Sequence, residues 1–224
     1  MIKAVLFDLD NTLTDFMYMK RISCEAAINA MIDSGLKMDK DAAEKKLFEL
    51  YKTHGIEDQT IFQKFLTDVQ GSVDYRMLAN AITAYRRRQA GVLVPYPHVR
   101  STLIKLKERG IKLAIVSDAQ RMRAWLRLSE MNLTEFFDVV VTLDDTGKLK
   151  PDEAPFKSAI QKINVRPNEI LFIGDNPDRD IKGAKQLGMK TALAKYGQQF
   201  FSDDVIADYE LNDFADLLRV ITSK

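Results

Sequence analysis

The sequence predicts an α/β protein with a doubly wound parallel sheet and an inserted all-helical domain. Three observations lead to this fold class: short apolar runs recur along the chain, helix-like or loop segments separate the later runs, and a long stretch after the first run has no strand pattern. Strands that alternate with segments of crossover length form parallel sheets through right-handed strand-helix-strand units. With 224 residues, the chain is long enough for a main domain and a smaller insert.

Six short runs are the candidate strands, at residues 3–9, 112–116, 138–141, 169–173, 190–194 and 207–211. Gly110 and Gly188 each end a helical pattern just before one of these runs, which is typical of helix C-caps. A terminal helix is predicted over residues 212–221, with Asn212 as its N-cap.

The stretch after the first run shows only amphipathic helical patterns, near residues 21–34, 40–51, 60–70 and 75–89. We therefore expect a helical domain over residues 15–95, inserted into an α/β core domain of residues 1–14 and 96–224. Its hinges would be residues 15–17 and the segment Pro95-Tyr96-Pro97, whose two prolines discourage continuous helix.

Composition limits the classes of partner and compartment. The 33 basic and 32 acidic residues give a net charge of +1, so the sequence does not predict nucleic acid or a membrane surface as a partner. Cys24 is the only cysteine, which excludes an intramolecular disulfide and favours a buried thiol in a reducing compartment. Neither a secretory leader nor an apolar span of membrane length is visible, so we expect a cytoplasmic protein. Its oligomeric state is not defined by the sequence, and a homodimer is one option.

Asp8 and Asp10 end the first apolar run in the pattern D-x-D-x-T. A carboxylate removed from water is costly unless it is paired, hydrogen-bonded or bound to a metal, so a cation or an active site would explain this placement. Asp, Asn and Thr are also ordinary turn residues. Taken alone, the motif is therefore equally compatible with a solvated turn.

Three further polar features lie where later strands are predicted to end. Ser117 and Asp118 follow the second run, where a hydroxyl and a helix N-terminus can donate to an anion or form a simple N-cap. Lys150 stands in a Lys-Pro pair after the third run, and Asp175 ends the fourth. Gly174 would let the backbone come close to whatever Asp175 holds.

The ordered set D-x-D-x-T, Ser, Lys-Pro and G-D-x-x-x-x-D resembles the haloacid dehalogenase superfamily of phosphotransferases. The resemblance covers nearly the whole chain. The helical insert is similar to the C1 type of cap, and residues 180–189 are similar to the family pattern D-I-x-G-A-x-x-x-G-M. The dehalogenase branch lacks an acid at the position of Asp10, so the resemblance favours phosphoryl chemistry.

The resemblance implies a Mg²⁺-dependent phosphatase that hydrolyses a small phosphorylated metabolite through an aspartyl phosphate. Sugar or triose phosphates such as glyceraldehyde 3-phosphate are the substrate class it suggests. Asp8 then matches the nucleophile, and Asp10 matches the general acid and base, whose backbone carbonyl also helps to hold the metal. Two residues apart along an extended segment, their side chains can share a face.

The same resemblance assigns the remaining polar residues. Asp175 matches a metal carboxylate, and Asp180 supports the metal directly or through water; such oxygen ligands suit Mg²⁺. Lys150, Ser117 and backbone amides such as that of Asp118 would bind the phosphate oxygens. In the family the first and fourth core strands are neighbours, which would bring Asp8 and Asp175 together.

Two other functions are compatible with parts of this pattern. A phosphoglycomutase-like phosphotransferase carries all four motifs and differs in whether the product keeps its phosphate. A non-catalytic phosphoacceptor domain in signalling also uses a doubly wound sheet and acidic residues, but such domains are much shorter and accept phosphate on a middle strand. Substrate selection is expected from the insert, where Asp15, Phe16, Tyr18 and residues 52–59 are candidates to face the site.

Overall fold

A computed structural model describes residues 1–222 of the protein. The chain forms two compact units, one made of Met1–Phe16 and the chain from Leu93 onward, the other of Met17–Val92. None of the helices within residues 1–222 combines the length and the hydropathy that crossing a membrane requires.

The unit of residues 17–92 is helical throughout its regular structure. Its helices are α1 (Phe16–Asp33), α2 (Lys40–His54), α3 (Ile61–Gln70) and α4 (Tyr75–Val92). All four predicted helices are present, but α1 begins at residue 16 and not at 21, so it takes in two residues of the predicted hinge. Cys24 is buried in the apolar core of this unit, and burial raises the pKa of its thiol to about 11, as suits an inert structural cysteine.

The other unit contains, among the described residues, one sheet of six parallel strands in the order β3-β2-β1-β4-β5-β6. The doubly wound parallel sheet is thus confirmed, and each predicted strand is present with ends that shift by at most two residues. The strands are β1 (Ala4–Phe7), β2 (Lys112–Val116), β3 (Val139–Val141), β4 (Ile170–Gly174), β5 (Lys190–Ala194) and β6 (Tyr209–Leu211).

Helices follow the strands as the crossover pattern requires. They are α5 (Val99–Glu108), α6 (Arg121–Glu130), α7 (Leu143–Thr146), α8 (Glu153–Ile163), α9 (Lys182–Gln186) and α10 (Leu217–Thr222). The central strands β1 and β4 are buried along their whole length, which explains why they are continuous apolar runs in the sequence.

The end of the chain differs from the sequence prediction. A 3₁₀ turn over Phe214–Asp216 precedes α10, and Asp213 is the N-cap in place of Asn212. The Asp213 carboxylate accepts a bond from the Ala215 N–H at 2.7 Å, and Asp216 accepts one from the Asp213 N–H at 3.0 Å. This reciprocal capping box satisfies two backbone donors, which explains why the cap moves by one residue.

The strand order determines where the polar residues meet. β1 lies between β2 and β4, with Phe7 aligned to Ile115 on one side and to Ile173 on the other. Because parallel strands all end at the same edge of the sheet, the residues after these three strands converge there. The predicted proximity of the first and fourth core strands is confirmed.

Two connecting segments of this unit run side by side at the same edge. Thr14 forms an antiparallel bridge with Pro95, and its hydroxyl donates to the Val94 carbonyl at 2.7 Å. The Tyr96 N–H donates to the Leu13 carbonyl at 2.8 Å. The chain therefore leaves and re-enters the α/β unit through two paired segments.

Candidate active site

Asp8 lies directly after β1, in the centre of the sheet edge. Its side chain is almost fully buried, and its Oδ1 lies 2.6 Å from the Lys150 Nζ. Its backbone N–H donates to the Ile173 carbonyl at 2.8 Å, which continues the pairing between β1 and β4. The position of this carboxylate is therefore determined by the sheet itself.

Lys150 supplies a buried positive charge to the site. Its Nζ lies 2.6 Å from Asp8 Oδ1 and 2.7 Å from Asp180 Oδ1, and its side chain is inaccessible to solvent. Burial by itself would lower the pKa of Lys150, but the carboxylates of Asp180 and Asp8 outweigh it and raise the pKa above the usual value. The ammonium group therefore stays charged. The peptide bond between Lys150 and Pro151 is cis.

Asp175 follows β4 and completes a cluster of three buried carboxylates. One oxygen each of Asp8, Asp175 and Asp180 lies within 4.8 Å of the others. Both carboxylate oxygens of Asp175 are buried without a hydrogen-bond partner among residues 1–222. Burial, followed by the charges of Asp8 and Asp180, raises the pKa of Asp175 to about 9. Such a carboxylate is costly without a cation, and the oxygen donors fit Mg²⁺.

Asp180 has a different environment from that of Asp175. Its Oδ1 pairs with Lys150, and its Oδ2 accepts a bond from the Asn176 N–H at 3.0 Å. A Cβ atom on Gly174 would lie 2.4 Å from the Asp180 Cγ, so the glycine makes room for this carboxyl group. The sequence predicts that Gly174 makes room for a group held by Asp175, whereas the close neighbour in the structure is Asp180.

Ser117 and Asp118 follow β2, on the other side of Asp8. The Ser117 hydroxyl oxygen is buried and accepts a bond from the Ala119 N–H at 3.1 Å. The Asp118 carboxylate accepts bonds from the Lys150 N–H at 2.9 Å and from Arg179 at 3.2 Å. The Asp118 side chain therefore holds the loop that carries Lys150, and a contact with phosphate would have to come from its backbone N–H.

Asp10 lies in the loop after β1 and is held by a residue that sequence reasoning missed. The Arg127 Nη1 donates to Asp10 Oδ2 at 2.7 Å. Arg127 belongs to α6, whose buried residues also include Ala124 and Leu128. The one signal in the sequence for a buried arginine here was its helical spacing from these apolar positions.

The turn after β5 also contacts the loop of Asp10, and no sequence motif indicated this. The Tyr196 hydroxyl donates to the Thr12 carbonyl at 2.9 Å. Gly197 packs so closely that a Cβ atom there would lie 1.6 Å from the Asn11 carbonyl oxygen. Only a glycine leaves space for this approach.

The suggested substrate-facing residues have mixed surroundings. Phe16 is buried in the α/β unit, with its ring under the Arg127 guanidinium at 4.4 Å from Cζ to the ring centroid. Tyr18 is exposed. The first three residues of the segment 52–59 belong to α2, which ends at His54, and the others lie between α2 and α3.

Known proteins with similar sequences or structures share this architecture. Residues 5–194 match the profile of haloacid dehalogenase-like hydrolases. The chain is 33% identical over 222 residues to the glyceraldehyde 3-phosphate phosphatase of Methanocaldococcus jannaschii, covering 99% of this chain and 97% of that protein. It is 34% identical to the protein of the same name from Pyrococcus abyssi, covering 100% and 95%. A solved HAD phosphatase from Thermococcus onnurineus is 27% identical, with a TM-score of 0.74 over 100% of this chain and 99% of that one.

The matched segment extends from β1 to β5 and so includes Asp8, Ser117, Lys150 and Asp175, the residues that carry the four ordered motifs. The chain therefore belongs to the family of haloacid dehalogenase-like hydrolases.

Proposed function

We propose that this protein is a Mg²⁺-dependent phosphomonoester hydrolase that works through an aspartyl phosphate on Asp8. The observation that carries the proposal is the buried pair of Asp8 and Lys150, 2.6 Å apart, beside an Asp175 carboxylate without a hydrogen-bond donor. Family membership and the phosphatase names of the relatives support the same reaction class.

The reaction consists of two phosphoryl transfers. In the first, an Asp8 oxygen attacks the phosphorus, the bond to the ester oxygen breaks, and the Asp10 carboxyl gives its proton to the leaving oxygen. In the second, Asp10 takes a proton from a water molecule as that water attacks the phosphorus. The bond between phosphorus and Asp8 then breaks, inorganic phosphate leaves, and Asp8 is regenerated.

Positive charge makes the first attack possible, because nucleophile and substrate are both anionic. Lys150 provides one such charge, and its buried position strengthens its effect on Asp8. Asp8, Asp175 and the backbone carbonyl of Asp10 would hold Mg²⁺, with Asp180 in support, and the ion would supply further charge neutralisation for the phosphoryl oxygens. The Ser117 hydroxyl and nearby backbone amides bind those oxygens.

The substrate we propose is a small sugar or triose phosphate, with glyceraldehyde 3-phosphate as the first candidate. This rests on the names of the two relatives from Methanocaldococcus jannaschii and Pyrococcus abyssi, which align over nearly the whole chain at 33% and 34% identity. Within the same proposal, the helical unit of Met17–Val92 is a C1-type cap that selects the leaving group. A cytoplasmic location is also proposed, because the single cysteine is typical of a reducing compartment.

Phosphate release from glyceraldehyde 3-phosphate, other sugar phosphates and p-nitrophenyl phosphate tests the proposal. We expect turnover with Mg²⁺ and its loss with EDTA. Asp8→Asn is nearly isosteric and should abolish turnover while preserving the fold. Asp204→Asn removes the same charge from an exposed loop and is the matched control.

Three results would contradict the proposal. Persistent activity in Asp8→Asn would exclude Asp8 as the nucleophile. A product that retains its phosphate would identify a mutase-like transferase. Phosphate that stays on the protein without turnover would identify a phosphoacceptor domain.

A further inference from the structure

Helix α6 has an unusual distribution of side chains. Three of its apolar residues, Met122, Trp125 and Leu126, are exposed at 70%, 40% and 45%, whereas Arg127 is only 5% exposed and lies among the buried residues of the helix with Ala124 and Leu128. A helix on a protein surface normally turns its apolar stripe inward and its charges outward. Arg127 departs from this pattern, because a charged side chain lies among the buried residues of the helix while large apolar ones are exposed, and a buried charge is costly unless it is paired.

The contacts of Arg127 provide such a pairing. Its Nη1 donates to Asp10 Oδ2 at 2.7 Å, and its Cζ lies 4.4 Å from the centroid of the Phe16 ring. A guanidinium group is planar, stays charged and stacks on aromatic rings, so Phe16 defines the plane in which Arg127 donates. One oxygen of Asp10 is thereby held at a known distance from a permanent positive charge.

We propose that Arg127 is a positioning residue for Asp10, which orients its carboxyl group and stabilises the negative charge that develops there as the proton leaves. This inference rests on the proposed function, because it requires Asp10 to be the general acid. The proton passes from Asp10 to the ester oxygen, which also receives the electron pair of the breaking P–O bond. Arg127 keeps all its protons throughout.

The contribution of Arg127 must then depend on the leaving group. A basic leaving oxygen needs most of the proton in the transition state, so much charge develops on Asp10 and the arginine stabilises it. An acidic leaving group such as p-nitrophenolate departs with little proton transfer. A residue that only supports the fold would affect both substrates equally.

A series of ring-substituted phenyl phosphates tests this prediction, because the leaving-group pKa changes while the shape hardly does. We would measure kcat/KM, which includes departure of the leaving group but not the later hydrolysis of the aspartyl phosphate. Arg127→Met should lower kcat/KM for phenyl phosphate by about 100-fold, within the range for general acid catalysis. The loss for p-nitrophenyl phosphate should be at least about tenfold smaller.

Two variants serve as controls for folding and for loss of an arginine. Arg127→Lys keeps a charge at the site and should restore part of the loss, even if Arg127→Met folds poorly. Arg100→Met removes another arginine of the same unit, which stacks on Phe136 at 5.6 Å, and should leave the leaving-group dependence unchanged. Thermal melts of each variant report folding.

The outcomes separate this inference from the proposed function. Take the case in which the wild type is active and the loss of kcat/KM in Asp10→Asn grows with the pKa of the leaving group. An equal loss of kcat/KM for every ester in Arg127→Met would then overturn the role of Arg127 and leave the proposed function standing. Failure of Arg127→Lys to exceed Arg127→Met in kcat/KM would also overturn it. A wild type that hydrolyses none of the esters would overturn the proposed function and this inference together.

Discussion

Asp175 and Asp180 lie in one cluster, but their surroundings make them differ in how well each can coordinate a cation. One oxygen of Asp180 forms an ion pair with Lys150, and the other accepts a bond from the Asn176 N–H. Asp175 has neither kind of partner within residues 1–222. A ligand oxygen that has no competing donor is the better one for a cation, so Asp175 is the stronger candidate for direct coordination.

We therefore expect Asp175→Ala to weaken Mg²⁺ binding more than Asp180→Ala does. Loss of a direct ligand removes a coordinate bond, whereas loss of a supporting group typically costs about 10- to 100-fold in affinity. Calorimetric titration of the metal-free proteins with Mg²⁺ measures both. An equal affinity of wild type and Asp175→Ala would remove Asp175 from the metal site.

The same carboxylate should reduce stability when no metal is present. The pKa of Asp175 is about 9 in the folded state and about 3.9 in an unfolded chain, so the folded state binds an extra proton between these values. Stability must then fall as pH rises through this window. In EDTA, Asp175→Asn should therefore be more stable than the wild type, increasingly so from pH 5 to 8.

Thermal or urea unfolding in EDTA measures this difference. Added Mg²⁺ should stabilise the wild type but not Asp175→Asn, because a ligand stabilises only the state that binds it. Asp204→Asn, in an exposed loop, should follow the wild type at every pH. A wild type that is the more stable protein in EDTA at pH 8 would contradict the argument.

At the scale of elements, the turn after β5 contacts the loop that carries Asp10. Its Tyr196 hydroxyl holds the Thr12 carbonyl, and Gly197 abuts the Asn11 carbonyl. Asn11 follows Asp10 directly and has a left-handed backbone with φ of 58°. The turn therefore supports a loop conformation that is unfavourable for most residues.

Gly197→Ala should consequently impair both stability and activity. The new Cβ atom would lie 1.6 Å from the Asn11 oxygen, so one of the two backbone segments has to move. We expect a loss of about 1–3 kcal/mol in the free energy of unfolding, as for other overpacked sites. The kcat/KM for phosphate esters should fall as well, because Asp10 moves with Asn11.

Gly91→Ala is the matched control, since Gly91 lies in α4 and, apart from its chain neighbours and the nearby backbone of its own helix, no atom lies within 4 Å of the added Cβ. It should be neutral or stabilise by up to about 1 kcal/mol. Urea unfolding and steady-state kinetics compare the two variants. Unchanged stability and activity in Gly197→Ala would show that the turn does not support the loop.

At the scale of the whole molecule, the chain assigns its polar chemistry and its helical insert to different units. The residues of all four motifs lie in the unit that contains the sheet, while Met17–Val92 forms helices around its own apolar core. This separation is expected if the insert acts on substrate choice and the sheet edge performs the reaction.

Substitutions in the segment 52–59 should then change the ranking of natural substrates more than the rate with p-nitrophenyl phosphate. Lys52 and His54 are exposed at the end of α2 and can be replaced by alanine with little effect on packing. Loss of a contact with the leaving group weakens transition-state binding only for substrates that make this contact. We expect kcat/KM for such a substrate to fall by about 10-fold. The exposed Lys37 of the same unit provides the control Lys37→Ala.

Steady-state kinetics on two dissimilar sugar phosphates and the artificial ester measure this effect. A uniform fall of kcat/KM across all three, with folding intact, would instead assign the segment to closure or general catalysis. An effect of Lys37→Ala as large as that of Lys52→Ala would show that any charge change in the unit suffices.

The local sequence determined the strands, the four inserted helices and the residues at the strand ends. Apolar runs and helical periodicity depend on neighbours along the chain, so β2 and β5 were predicted to the residue. Asp8, Lys150 and Asp175 were predicted as site residues from patterns that are visible without a structure. These patterns are an apolar run that ends in a charge and a Lys-Pro pair that stands in a fixed order with the other motifs.

Only the tertiary structure decided which of these groups touch and which further residues join them. Arg127 is separated from Asp10 by 117 positions and Tyr196 from Thr12 by 184, and no local pattern encodes such distances. The different surroundings of Asp175 and Asp180 likewise depend on where Lys150 and a backbone N–H come to lie. Burial and charge pairing are properties of the folded chain, because they arise when the crossovers bring distant strand ends to one edge of the sheet.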